Sequence, residues 1–178
     1  MQGLLLMRIA ECSACGYVGN LGSLSVNEDF PEELALLVSS AAYAACGAGL
    51  ADVARRFLRR ALIADEWGDE RLADQASLHA AWVCNAEGDR VGARACRDRA
   101  VEHWYDAIAE GDALTEDNDS ARDAAVIAET LRRADRFSDA IEVCKEALAD
   151  PGEGEVRATL EKIRDLASRQ NGAPTSAS

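Results

Sequence analysis

From residue 31 onward, apolar residues recur every three or four positions, the spacing of one buried helical face. Leu34, Leu37, Val38, Ala41 and Ala45 form the first stripe, and Asp29 with Glu32 reads as the capping box that opens it. Gly47 and Gly49 break that helix. A second stripe takes in Val53, Phe57, Leu58, Ala61 and Leu62 and ends at Gly68-Asp69. The third runs through Leu72, Ala76, His79, Ala80 and Val83, and Gly88-Asp89 connects it tightly to a fourth carrying Ala93, Ala100, Val101, Trp104 and Ile108. Beyond the polar stretch 111–119, a fifth helix starts near Ser120. The sixth, through Phe137, Ala140, Ile141, Cys144, Ala147 and Leu148, stops before Pro151. Val156, Leu160, Ile163 and Ala167 give a seventh its stripe. Residues 168–178 lack apolar periodicity and are expected to form a disordered tail.

Small residues repeat within this pattern. Ala54, Ala93 and Ala140 are each followed seven residues later by another alanine (Ala61, Ala100, Ala147), and preceded twelve residues earlier by Ala42, Ala81 and Ala128. Two antiparallel helices need small side chains wherever their backbones approach. This skeleton resembles the tetratricopeptide (TPR) repeat, with spacings of 39 and 47 residues in place of the usual 34. The expected fold is all-α: about three TPR-like helical hairpins plus a C-terminal capping helix, preceded by a short N-terminal knuckle. The corresponding divisions are 1–28 (knuckle segment), 29–167 (repeat domain) and 168–178 (tail).

Composition supports helices. Hydrophobic residues make up 48% of the 178, but 35 residues are alanine and nine aromatic, which favours closely packed helices over a sheet sandwich. The net charge of −13 argues against a general nucleic-acid binder and against anionic membrane. That charge is uneven. Residues 105–155 hold 15 acidic against 5 basic side chains, a block suited to a basic partner, whereas residues 52–104 are nearly neutral. Leu4–Met7 is too short for a signal-peptide core, and nothing approaches the roughly 20 apolar residues of a membrane span. The expected location is cytoplasmic, where cysteines are thiols or metal ligands more often than disulfides.

Two candidate sites follow. Cys12-Ser-Ala-Cys15-Gly16-Tyr17 is half of a zinc ribbon: the C-x-x-C-G turn aims two thiolates at one metal, while structural zinc wants four ligands. Cys46 is the best-placed third ligand, or the set is completed across a dimer. A metal-free remnant and a redox dithiol are the alternatives. Cys84 and Cys144 read as core residues. The second candidate is basic: Arg55, Arg56, Arg59 and Arg60 on the second helix, joined by Arg94 and Arg97 on the fourth. Here a solvated, ion-paired face, with Asp52 meeting Arg56 at i,i+4, competes with a surface for an acidic partner. The acidic loop with Asp112, Glu116, Asp117 and Asp119 departs from the calcium-loop pattern and reads as solvated. His79 and His103 are expected to be structural, and Trp67, Trp82 and Trp104 to pack in the core. No phosphate loop, HExxH or GxSxG motif occurs.

The segments CSACGY, LHAAWVCNAEGD and RRADRFSDAIEVCKEAL together resemble a family of bacterial proteins in which a CxxCGY knuckle precedes irregular TPR helices. The resemblance spans most of residues 9–150. It implies zinc binding by two cysteine pairs, of which this chain keeps one, and helices that serve protein contacts. The expected function is a non-enzymatic protein–protein interaction adaptor taking a protein or peptide on its helical surface. The alternative is a zinc-knuckle regulatory or dimerisation module using Cys12 and Cys15.

Overall fold

A computed structural model describes residues 9–20, 31–111, 119–150 and 154–170. Two short strands, β1 (Ile9–Glu11) and β2 (Val18–Asn20), are followed by eight helices among the described residues: α1 (Glu32–Val38), α2 (Ala41–Ala45), α3 (Asp52–Glu66), α4 (Glu70–Ala86), α5 (Arg90–Glu110), α6 (Ser120–Arg133), α7 (Phe137–Ala147) and α8 (Gly154–Ser168). The chain is mostly helical, and none of these helices is long and apolar enough to cross a membrane. It divides into two compact units, residues 1–96 and 97–178, with the boundary inside α5.

In the first unit, β1 and β2 pair antiparallel, Ile9 opposite Asn20 and Glu11 opposite Val18. Ile9 and Val18 turn inward and join one core with Ala54, Phe57 and Leu58 of α3, Ala80, Ala81 and Cys84 of α4, and Ala93 and Cys96 of α5. The first expected helix is two. Ser39 Oγ donates to the carbonyls of Ala35 (2.8 Å) and Leu36 (3.0 Å), closing α1, and Ser40 Oγ accepts from the Tyr43 amide (3.1 Å), opening α2. Serines that satisfy helix-end groups in this way compete with a continuous ladder. The break turns Ala41 and Ala45 out to solvent and sends Tyr43 inward with Leu34 and Ile63. Asp29, the expected cap, lies outside the described residues; α1 opens after Pro31 without a side-chain cap.

Four helix connections share one pattern. Gly49, Gly88 and Asp135 have φ of +86°, +77° and +62°, and each stands five residues before a fully buried alanine (Ala54, Ala93, Ala140). Gly68 (φ +67°) bears the same relation to Ala73, between the expected pairs, so the pattern marks the tight connection and not the pairing. Asp69 and Asp89 follow their glycines and cap the next helix, accepting from the amides of Leu72 (3.1 Å) and Gly92 (2.8 Å). Gly47 is constrained twice over: φ is +70°, and a Cβ there would stand 2.9 Å from the Arg55 backbone.

In the second unit, α6, α7 and α8 share a core. Ala121, Ala125 and Ala128 meet Cys144 and the α8 stripe of Val156, Leu160 and Ile163. Asp119, expected in a solvated loop, caps α6 by accepting from the amides of Ala121 (3.0 Å) and Arg122 (3.2 Å). Asp112, Glu116 and Asp117 lie outside the described residues. The Arg132 side chain is fully buried, and Glu129 grips it with two bonds: Nε to Oε2 at 2.8 Å and Nη2 to Oε1 at 2.9 Å. Arg133 adds a third to the same carboxylate, at 2.6 Å.

Removing Glu129 takes two charge-assisted bonds from the fully buried Arg132. Glu129→Ala should therefore lower unfolding stability by about 3 kcal/mol. Glu142→Ala, which breaks an exposed pair with Lys145, should change it by less than about 0.5 kcal/mol. Urea unfolding of the two variants checks this contrast, and equal midpoints would refute it.

Candidate functional site

The turn between β1 and β2 presents Cys12 and Cys15. The Cys12 amide donates to the Tyr17 carbonyl (2.8 Å), and the Gly16 amide donates back to the Cys12 carbonyl (2.8 Å). The chain can double back only because Gly16 takes φ +79°. Within this turn the Cys12 sulfur accepts from the backbone amide of Cys15, then that of Ala14, and from the Cys15 side chain. These bonds favour the thiolate and hold the Cys12 thiol below the ordinary thiol range. Cys12 is half-buried and Cys15 exposed. Two soft donors, one of them oriented by backbone amides, suit zinc or another thiophilic metal. The strand after Cys15 also separates this turn from the strand–CxxC–helix arrangement of redox dithiols.

The hairpin is fastened to α3 through polar groups. Glu11, next to Cys12, accepts from Arg59 Nη1 at 2.7 Å and faces Arg56 Nε at 3.5 Å. The Arg59 guanidinium lies over the Tyr43 ring, 4.9 Å from its centroid. Tyr43, itself buried, donates its hydroxyl to the Gly16 carbonyl at 2.8 Å. Burial pushes the Tyr43 phenol well above its ordinary range, against the pull of Arg59, so it stays a donor. Arg60 Nη1 reaches the Tyr17 hydroxyl at 3.5 Å.

The expected site residues are thus arranged differently from one another. Cys12 and Cys15 share a turn. Cys46 is the half-buried cap at the end of α2, packed against the core of the first unit. Among the described residues, the ligand atoms of Cys12, Cys15 and Cys46 do not form a set within 4.8 Å of one another. Cys84, Cys96 and Cys144 are buried, and burial raises the Cys144 thiol to about 11. The arginines of α3 face the protein itself. Asp52 pairs with Arg55 and, at 2.6 Å, with Arg56; Glu11 takes Arg56 and Arg59, and Tyr17 takes Arg60. Arg97 is buried and donates to the Arg133 carbonyl at 3.1 Å; Arg94 is exposed on α5. Part of the acidic block is also engaged: Asp119 caps α6, Glu129 holds two arginines, and Asp139 accepts from Arg136 at 2.7 Å.

Glu11 and Tyr43 escaped sequence reasoning. Their only signals are an acidic residue beside the knuckle and a lone tyrosine inside AAYAAC. The tryptophans also part company. Trp104 is buried as expected, but Trp67 and Trp82 are exposed. Trp82 stands edge-on to His79, 5.0 Å between centroids, and His79 lies 5.1 Å from Phe57. Burial holds His79 below the ordinary histidine range.

The amide bonds to Cys12 sulfur have a spectroscopic consequence. Thiolate absorbance in the ultraviolet should rise at a pH below the ordinary thiol range, and Cys12→Ser should remove that early step. An unchanged titration in Cys12→Ser would contradict the assignment. Comparison of the chain with protein-family models, curated proteins and solved structures yields no match.

Proposed function

We propose that this chain is a non-enzymatic adaptor that binds a protein or peptide on the exposed face of TPR-like helical hairpins. Trp82 on α4 carries the reading. It is 43% exposed, so a large apolar ring stands in water, yet it leans on His79, which in turn packs on Phe57. A tryptophan that already leans on a neighbour loses less freedom on binding, and tryptophan is among the residues that most often dominate protein interfaces. Gln75 and Asn85 are exposed seven residues before it and three after, on the same side of α4. Their amides suit the backbone of an extended peptide, with the ring taking an apolar side chain.

A second reading has its own support. The backbone-bonded turn that carries both Cys12 and exposed Cys15 supports a zinc-knuckle regulatory or dimerisation module, with these two as the chain's ligands. Bound there, zinc would supply a structural cross-link and no reaction step.

The adaptor reading is tested by affinity capture with the intact chain and with Trp82→Ala. A partner held by the unaltered protein should bind at least about tenfold more weakly to Trp82→Ala, whose melting temperature should hardly change. Full retention of every partner would exclude the α4 face.

A further inference from the structure

Zinc in a structural site takes four ligands, and this knuckle offers two. The source of the others can be narrowed within these 178 residues. Beyond Cys12 and Cys15 the sequence has four cysteines and two histidines. Cys84, Cys96, Cys144 and His103 are buried, and His79 is packed between Phe57 and Trp82. Cys46 does not gather with the knuckle pair within 4.8 Å. Residues 1–8 and 21–30 contain neither cysteine nor histidine.

We infer that the knuckle is one half of a four-thiolate metal site, completed by Cys12 and Cys15 of a second copy of this chain. The inference rests on the metal-knuckle reading above and names its missing ligands. Cys15 is exposed at the tip of the turn, where a second turn can reach it. Two identical pairs around one ion make a self-complementary contact about a twofold axis, the commonest symmetry of protein dimers. Four thiolates around a divalent cation leave a charge of −2, which a solitary acidic surface would oppose. Here Arg56 and Arg59 engage Glu11, next to Cys12, and Arg60 reaches Tyr17, so three basic side chains of α3 lie along the hairpin that carries the thiolates. An arginine cluster that would otherwise mark an anion surface thereby gains a role beside the metal.

The test combines zinc analysis, native mass spectrometry and sedimentation of the full chain, loaded with zinc chloride and then stripped with a chelator. The expected result is one zinc per two chains, in a dimer that dissociates on chelation. Cys12→Ser and Cys15→Ser should each give metal-free monomers of unchanged helicity, while Cys46→Ser should keep both metal and dimer. Cobalt substituted for zinc should show the visible spectrum of a tetrahedral four-thiolate site. One zinc per monomer, especially if lost in Cys46→Ser, would overturn the shared site while sustaining a metal knuckle. No bound zinc under saturating conditions would overturn both.

Discussion

A hairpin with three residues in each strand cannot persist in water by itself, because so few cross-strand contacts cannot offset the entropy of ordering the chain. Here the hairpin is held on α3 at two levels. Ile9 and Val18 enter the helical core, and Glu11 is gripped by Arg56 and Arg59 while Tyr43 reaches up to the Gly16 carbonyl. The second level has direction, since charge-assisted bonds to one carboxylate fix the hairpin's orientation as well as its contact. Everything proposed for Cys12 and Cys15 depends on this fastening, because it lets the turn exist before any metal arrives.

The same fastening changes what the arginines do. Four basic side chains on consecutive turns of α3 would, on a bare helix, attract an acidic ligand. Arg56, Arg59 and Arg60 hold the hairpin on its helix through Glu11 and Tyr17, while Arg55 pairs with Asp52 on α3 itself. The second unit meets a related problem at Arg132, whose fully buried guanidinium receives two charge-assisted bonds from Glu129. An exposed aromatic surface lies elsewhere in the first unit, on α4. There, Trp82 leans on His79 and is left in contact with water.

The helical parts of this fold were legible because one-face periodicity is a local property. The stripes Phe57–Ala61 and Val156–Leu160–Ile163 went inside where their spacing put them, and the alanines at 54, 93 and 140 are fully buried. The first helix misled because Ser39 and Ser40 reroute the backbone hydrogen bonds of an apolar run, a competition that spacing does not register. The CxxC turn was visible from its motif, but its attachment was not. Glu11 and Arg59 are 48 residues apart, and Tyr43 and Gly16 are 27 apart. Nothing in residue type alone says that an arginine on a helix will face a strand and not solvent. Asp119 shows the same limit at short range: one residue of an acidic loop became a helix cap because of where α6 begins.

The claim that the knuckle is preformed by its attachment to α3 is most directly tested by amide hydrogen exchange on metal-free protein in the presence of a chelator. The amides of Cys12 and Gly16, bonded to the carbonyls of Tyr17 and Cys12, should be protected. Glu11→Gln should speed their exchange while leaving the amides around Leu160 in α8 as they were. Exchange of Cys12 and Gly16 at the rate of an unstructured chain in the unaltered, metal-free protein would contradict the account.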